Sequence, residues 1–274
     1  MSPQTFALIG PGRAGCTFGA ALVDAGWTMV GVAGRAPDTD SVVRAAERFQ
    51  APVGTVVEVV ESADLVVIAT PDAVIGEIAA EVAEAVVPSS LVIHLSGAVS
   101  LAALGDVVAR IGALHPLHTM PTDGVVRTAE ARPGAELVGA WCATAGDPEV
   151  DAIARSLGMI PFPVLDVDRA RYHAAACIAS NHLVALLAQV EASTDVPLEA
   201  FLPLVAATVE NVAALGPAAA LTGPVARGDV ETVRAHLGAI PAGERAAYVA
   251  MARRAAVLSG RDPDSDPAFG GVLE

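Results

Sequence analysis

Short apolar runs alternate with amphipathic stretches along the first half of the chain. The amphipathic stretches have helical periodicity and cover residues 13–25, 41–49 and 73–86. The apolar runs show little polar alternation, which is typical of strands buried on both faces. They cover residues 6–9, 29–33, 51–53, 64–69, 91–95 and 111–114. This order predicts an α/β domain with a parallel, doubly wound sheet and helices on both faces.

The second half of the chain changes from mixed to helical patterning. A strand, a helix and a strand are predicted over residues 137–144, 148–157 and 160–164. Helical periodicity then covers residues 168–193, 197–215, 229–237 and 243–258, with proline and glycine between the segments. We therefore predict two domains, an α/β domain over residues 1–165 and an all-α domain over residues 166–274.

A glycine-rich hexapeptide joins the first predicted strand to the first predicted helix. It reads Gly10-Pro11-Gly12-Arg13-Ala14-Gly15, the pattern G-x-G-x-x-G. The first glycine permits a tight turn, the second lets a pyrophosphate approach the backbone, and the third lets helix and strand pack closely. Free N–H groups at the helix start would face the phosphates. The strand-to-helix context of the motif predicts that all six residues bind a dinucleotide.

The end of the second strand indicates which dinucleotide is bound. Domains that bind NAD commonly place a carboxylate about 20 residues past the glycines, where it binds the ribose 2′-hydroxyl. Here Arg35 stands at the strand end, and Asp38 and Asp40 follow a few residues later. Because a guanidinium pairs well with phosphate oxygens, Arg35 favours NADP over NAD, and Arg13 is a second candidate contact.

Polar residues also follow three other predicted strands. They are Thr70-Pro71-Asp72, Ser96, and His115 with His118. Ligands of open α/β sheets bind beyond the carboxyl ends of the strands, so we expect Thr70, Pro71 and Asp72 beside the cofactor. Ser96 is expected to hydrogen-bond the cofactor carboxamide or a substrate carboxylate. The two histidines are expected to bind an anionic substrate or to carry a proton.

The spacing of His115 and His118 predicts no metal site. The two residues are three apart across a proline, which is not a regular helical pair, and no acidic or cysteine partner is evident in the sequence. His94 lies inside an apolar run and is expected to be a core or sheet residue.

Composition narrows the possible partners. The 274 residues carry a net charge of −15, which argues against a nucleic acid and against an acidic membrane surface. All 16 basic residues are arginine, so no lysine is available as an acid, a Schiff-base former or a phosphate ligand. Three widely spaced cysteines and the lack of a basic, then apolar, N-terminal segment indicate a cytoplasmic protein. The longest apolar run is interrupted by polar residues and predicts no membrane span.

A polar stripe runs along the predicted helix 168–193. His173, Cys177 and Ser180 are spaced as neighbours on one helical face, and Asn181 lies at its edge. Such a stripe either meets the crevice at the strand ends or finds its partners in the core. We favour the crevice.

Several motifs together resemble one family. They are residues 10–15, 63–72, 115–119, 172–176, 180–181 and 221–229. They resemble Rossmann-like proteins with a helical DUF2520 C-terminal domain, a layout similar to ketopantoate reductases, pyrroline-5-carboxylate reductases and β-hydroxyacid dehydrogenases. The resemblance implies an NADP-binding domain and an all-α domain like the C-terminal domain of 6-phosphogluconate dehydrogenase. It also implies a homodimer formed through the helical domain.

The chain departs from these enzymes at one position. Ketopantoate reductases and β-hydroxyacid dehydrogenases carry a catalytic lysine early in the first long helix and an asparagine further along. Matching the helices through Asn181 puts His173 at the lysine position. The resemblance then implies that His173 donates the proton to a developing alkoxide and that Asn181 orients substrate oxygens, with Ser180 beside it.

A turn rich in glycine and proline supplies a candidate anion ligand. Arg227 lies in this turn and is expected to pair with a substrate carboxylate. The leading prediction is an NADPH-dependent reductase of a small, anionic 2-oxo acid, similar to ketopantoate reductase. An imine reductase of the pyrroline-5-carboxylate type and a non-enzymatic dinucleotide-binding sensor are the alternatives.

Overall fold

The computed structural model describes residues 4–120, 134–266, 269 and 271–273. It divides into two compact units, Met1–Ile178 and Ala179–Glu274. The helical part of the chain begins with a turn at Asp166–Asp168. The division therefore falls inside the long helical segment, somewhat later than the boundary predicted at residue 166.

The first unit contains a seven-stranded sheet with the strand order β2-β1-β3-β4-β5-β6-β7. Its strands are β1 (Thr5–Ile9), β2 (Thr28–Ala33), β3 (Leu65–Ile68), β4 (Leu91–His94), β5 (Arg110–Pro116), β6 (Trp141–Gly146) and β7 (Ile160–Pro163). Strands β1 to β5 are parallel, as predicted. Strand β6 runs antiparallel to β5, and β7 runs parallel to β6, so the sheet as a whole is mixed. A strand buried on both faces has the same apolar pattern in either direction, and mixed sheets are common.

Helices cover both faces of this sheet. They are α1 (Arg13–Asp24), α2 (Asp40–Phe49), α3 (Val56–Val60), α4 (Ile75–Ala83) and α5 (Glu149–Ser156). The last helix of the unit, α6 (Arg169–Cys177), follows β7 in the chain. Residues of β1 alternate between two apolar clusters, Phe6 and Leu8 in one and Ala7 and Ile9 in the other. Each fully buried large side chain of this kind contributes about 1.5–3 kcal/mol, which explains why the doubly covered sheet is the stable arrangement.

Local details of the first unit differ from the predicted elements. The strand predicted at residues 51–53 is reduced to a single bridge between Val32 and Val53. The strand predicted at residues 137–144 begins only at Trp141, because Ala135–Leu137 forms a short helical turn. Helix α3 was not predicted, since its residues are almost all valine. A capping box between Thr55 and Glu58 starts it.

The second unit is helical. Its helices are α7 (Leu183–Ser193), α8 (Leu202–Leu215), α9 (Pro217–Ala220), α10 (Pro224–Arg227), α11 (Val230–Ala239) and α12 (Arg245–Leu258). A small core contains Val225, Val233, Ala252, Ala256, Phe269 and Leu273. Between α6 and α7 the chain forms a π-helical turn over Ile178–His182, so the regular period of the predicted helix 168–193 ends at Cys177.

Among the described residues, two helical segments are long and apolar enough to cross a membrane. They are Asp166–Ser193, with mean hydropathy 1.3, and Leu198–Leu215, with mean hydropathy 1.5. Length and composition are weak evidence of a membrane span, because core helices of soluble proteins pass the same test. The first segment is longer than the interrupted apolar run in the sequence indicates.

Candidate active site

The glycine turn between β1 and α1 has the geometry that its motif predicts. Gly10 has φ +84°, and a Cβ there would lie 2.8 Å from the Ala69 carbonyl carbon. A Cβ on Gly15 would lie 2.6 Å from the Gly10 oxygen, so the helix packs directly on the strand. A Cβ on Gly12 would meet no atom within 4 Å. The backbone is therefore closed at Gly10 and Gly15 and open at Gly12, where a pyrophosphate would approach.

A cavity of about 650 Å³ lies beside the glycine turn. Its lining includes Gly12, Arg13, Ser41, Arg44, Arg48 and the acidic Glu47. Arg44 and Arg48 are one helical turn apart on α2. This basic lining suits an anionic group. Arg35 is exposed just beyond β2 and is not among the residues that line the cavity.

The residues after β3 lie at the same edge of the sheet as the glycine turn. Thr70 contacts Gly10 closely, since a Cβ on Gly10 would lie 2.8 Å from the Thr70 Cγ2. The Thr70 hydroxyl is buried and has no hydrogen-bond partner among the described residues. Pro71 and Asp72 are exposed, and Asp72 begins a short helical turn. An orphaned buried hydroxyl beside the turn is what a cofactor hydroxyl or amide would satisfy.

The loop after β4, residues 96–101, is held tightly from within and from α6. The Ser96 Oγ accepts hydrogen bonds from the backbone N–H groups of Ala98, at 3.1 Å, and Val99, at 3.0 Å. Arg169 donates from Nε to the Val99 carbonyl at 2.6 Å and from Nη2 to the Ser96 carbonyl. Asp166 accepts from the Leu101 N–H at 2.8 Å and from the Ser100 hydroxyl. The predicted site residue Ser96 therefore shapes this loop.

Two imidazoles meet at Gly97. The rings of His115 and His173 are 5.6 Å apart at 78°, a T-shaped contact. A Cβ on Gly97 would lie 2.6 Å from His173 Nδ1 and 3.0 Å from His115 Cε1. Only glycine leaves room for both rings. The structure thus brings together His115 at the end of β5 and His173 on α6, both of them predicted site residues.

Tyr172 completes the imidazole cluster. Its hydroxyl lies 2.8 Å from His115 Nδ1, and its ring contacts Phe162 at a centroid distance of 5.8 Å. Burial raises the pKa of Tyr172 to about 12, so its phenol keeps its proton at neutral pH. The phenol therefore fixes the orientation of the His115 ring.

Burial also sets the charge of the histidines. Burial, followed by the positive charges of His173 and Arg169, lowers the pKa of His115 to about 4. Burial and the charge of Arg169 likewise lower the pKa of His94 to about 4. His94 is fully buried on β4, as predicted for a sheet residue, and neither ring nitrogen has a partner among the described residues. Both imidazoles are neutral at pH 7.

Neither ring nitrogen of His173 has a strong hydrogen-bond partner among the described residues. Its Nδ1 is buried without a hydrogen-bond partner among the described residues, against Gly97. Its Nε2 lies 3.6 Å from the Cys177 sulfur, a long contact with a weakly hydrogen-bonding group.

The remaining predicted site residues make no described contact with the imidazole cluster. His118 is half-buried, and its Nδ1 donates to the neighbouring Thr119 carbonyl at 2.8 Å. Ser180 and Asn181 lie in the π-helical turn that follows α6, and Arg227 is the exposed last residue of α10. These three belong to the second unit.

Sequence reasoning missed several of these residues. Gly97, Arg169 and Tyr172 were not singled out for a role, and neither were Arg44 and Arg48. The spacing of Arg44 and Arg48 at i, i+4 on a helix beside the glycine turn is a signal that was available. Arg169 offers no such signal in the sequence, because it lies at a helix N-terminus, where the helix dipole disfavours a positive charge.

Two family models match the chain. The model of the Rossmann-like domain matches residues 4–121, and that of a domain of unknown function, DUF2520, matches residues 140–255. The chain thus combines a Rossmann-like domain with a DUF2520 domain, which confirms the resemblance drawn from its motifs. A comparison with curated proteins found no match.

Solved structures share the fold over nearly the whole chain. BF3122 from Bacteroides fragilis, provisionally named an NADP oxidoreductase, is 24% identical, with a TM-score of 0.74 over 94% of this chain and 97% of that one. TM1727 from Thermotoga maritima is 21% identical, with a TM-score of 0.68 over 93% and 98%. Pyrroline carboxylate reductase from Plasmodium falciparum, solved with NADP bound, is 13% identical, with a TM-score of 0.58 over 98% of each chain. The fold is therefore an N-terminal Rossmann-like domain followed by a helical region, as predicted.

Proposed function

We propose that the protein is an NADPH-dependent reductase of a small 2-oxo acid, similar in type to ketopantoate reductase. The observation that carries the proposal is the pair of imidazoles at Gly97, at the same edge of the sheet as the open glycine turn. A dinucleotide and a proton donor are the two components that reduction of a carbonyl requires.

The residues beside the turn fit NADP. The backbone at Gly12 would take the pyrophosphate, and the Thr70 hydroxyl would take a polar group of the ribose or carboxamide. Arg35, with Arg44 of the basic cavity, would take the 2′-phosphate. When bound, NADPH supplies a hydride to the carbonyl carbon of the substrate.

The chain's own part is to supply and hold a proton. His173 donates from Nε2 to the oxygen that becomes the alcohol, and its Nδ1 stays buried against Gly97. The neutral His115, oriented by Tyr172, supports the His173 ring and can carry a charge only at acidic pH.

The substrate carboxylate needs a cation. We assign this role to Arg227, with Asn181 and Ser180 orienting substrate oxygens and His118 as a further polar contact. Replacing Arg227 by Met is expected to raise KM about tenfold or more, because a charge-assisted pair is lost. The kcat is expected to change less.

Cofactor preference is tested by fluorescence titration with NADPH and NADH. The wild type is expected to bind NADPH more tightly, and Arg35→Ala and Arg44→Ala to weaken NADPH by about tenfold while NADH is unchanged. Arg234→Ala, which removes an exposed arginine paired with Glu231, is the matched control. An unchanged preference in both test variants contradicts the assignment of NADP.

Activity is tested by the loss of NADPH absorbance with a panel of 2-oxo acids. Turnover of one or more oxo acids is the expected result. NADPH binding without oxidation by any substrate would contradict the reductase and support the sensor.

A second candidate is an imine reductase of the pyrroline-5-carboxylate type. The fold likeness to pyrroline carboxylate reductase over 98% of both chains favours it. An imine nitrogen can arrive protonated, so such a reaction would tolerate loss of His173. Cyclic imines in the same panel distinguish the two candidates.

A further inference from the structure

Arg169 is a buried cation. It is 1% exposed, and it forms no salt bridge among the described residues. Its Nη1 has no hydrogen-bond partner there. Burying a charge is costly unless the charged group is paired and all its donors are hydrogen-bonded. Its two hydrogen bonds go to backbone carbonyls, so they compensate only part of this cost.

The two carbonyls belong to one loop. Ser96 and Val99 flank Gly97, and the planar guanidinium fork spans them with Nη2 and Nε. The same loop is closed internally by the Ser96 hydroxyl and on its far side by Ser100 and Leu101 on Asp166. Asp166 and Arg169 both lie at the start of the helical segment that carries His173.

The position of the loop determines the positions of the imidazoles through Gly97. It lies against His173 Nδ1 and the His115 ring so closely that a single added carbon would clash with both. A shift of the loop toward the rings is therefore blocked, and a shift away leaves His173 without its support.

We propose that Arg169 is a positioning residue: its fork holds the loop after β4 where Gly97 supports the imidazoles of His173 and His115. The inference rests on the proposed function, in which His173 donates the proton. A second effect follows from charge, because Arg169 lies near enough to both His94 and His115 to disfavour their protonation.

The test separates fork geometry from charge. Arg169→Lys keeps the cation but cannot span both carbonyls, whereas Arg169→Met removes both features. Both are expected to lower kcat about tenfold or more, with KM and NADPH affinity changed less than about threefold. Arg171→Met, an exposed arginine on the same helix, is the matched control and is expected to keep wild-type kcat.

The second readout does not depend on activity. NMR titration of the ¹³C-labelled histidines in the full chain follows His115, which faces His173, Arg169 and Asp72. Its midpoint is expected to rise in Arg169→Met and to stay near the wild-type value in Arg169→Lys, since only the former loses the charge. An unchanged midpoint and unchanged kcat in Arg169→Met overturn the proposal. A shifted midpoint in a protein that reduces no oxo acid means that the proposed function fails, while the electrostatic effect of Arg169 on His115 stands.

A less disruptive substitution tests the proposal if Arg169→Met does not fold. Ser100→Ala removes the hydrogen bond to Asp166 on the far side of the same loop, together with the bond that the Ala102 N–H donates to the Ser100 Oγ. It is expected to lower kcat about threefold with KM unchanged. Wild-type kcat in Ser100→Ala, together with wild-type kcat in Arg169→Lys, overturns the proposal.

Discussion

Gly97 shows how much of the site depends on a side chain that is missing. Both imidazoles occupy the space that a Cβ would fill, with contacts of 2.6 Å and 3.0 Å if one were added. Contacts this short force displacement of a ring or of the loop. The position of the His173 ring therefore depends on the absence of a side chain at residue 97.

Replacing Gly97 by Ala is expected to reduce kcat about tenfold or more, because the added methyl displaces the His173 ring. Steady-state kinetics and the thermal unfolding midpoint are the measurements. Gly76→Ala is the control, since the nearest atom to a Cβ there is 3.9 Å away. Equal kcat values for the two variants would show that the close approach at Gly97 has no catalytic role.

The neutral histidines make stability depend on pH. The pKa of His94 is lowered from 6.5 to about 4 in the folded protein, so the unfolded chain binds the proton more readily. The stabilisation is present above the unfolded pKa and is lost as the pH falls from 6.5 toward 4. The full loss is about 3 kcal/mol for His94, and His115 adds a loss in the same direction.

This pH dependence is measured by urea unfolding at a series of pH values between about 7 and 5. His94→Leu is expected to flatten the slope of the unfolding free energy against pH. His236→Gln removes an exposed imidazole and is expected to keep the wild-type slope. A slope that is equally steep in His94→Leu would contradict the assignment of the titration to His94.

Single residues were predictable where a local motif requires them. The positions of the glycine turn, Thr70 and His115 after strands and of His173 on a helix follow from local patterns, whereas their roles stay predictions. The contacts of Gly97 and Arg169 could not be predicted, because they join segments that are far apart in the sequence, which no local pattern encodes.

At the scale of elements, the glycines of the β1–α1 turn have two different roles, one in folding and one in ligand binding. Gly10 and Gly15 allow the fold, since side chains there would clash with backbone or core atoms. Gly12 is open and is needed only by a ligand.

Gly12→Ala is therefore expected to unfold at the wild-type temperature but to bind NADPH about tenfold or more weakly. Gly10→Ala is expected to lose about 1–3 kcal/mol of stability, since alanine is strained at positive φ. Calorimetry and fluorescence titration give both quantities. Unchanged NADPH binding in Gly12→Ala would contradict the pyrophosphate site.

The elements also show the limits of pattern reasoning. Strands β1 to β5 are predictable because a short apolar run between two helices indicates a buried parallel strand. The antiparallel direction of β6 is not encoded in its hydrophobic pattern. Helix α3 depends on the capping box at Thr55, which overrides the strand preference of its valines.

At the scale of the whole molecule, the helical unit exposes large apolar side chains. Val184 is 67% exposed, Leu204 66% and Leu215 61%. Several large apolar side chains exposed on one unit favour a covering partner. The net charge of −15 disfavours an anionic membrane, so we propose a second copy of this chain as the partner.

The wild type is expected to elute with twice the 27.6 kDa mass of the chain in light-scattering chromatography. Leu204→Glu is expected to dissociate it, and Glu210→Gln on the same helix to leave it intact. A monomer that sediments with liposomes would contradict the dimer and favour a membrane.

The central claim is that His173 supplies the proton to a substrate reduced by NADPH. The direct measurement is the rate of NADPH oxidation by an oxo acid in the wild type, His173→Ala and His173→Gln, with NADPH affinity measured in parallel. The account predicts a loss of about 10²–10⁴-fold in kcat for both variants and an unchanged affinity for NADPH. Oxo acid turnover at the wild-type rate in His173→Ala would contradict it.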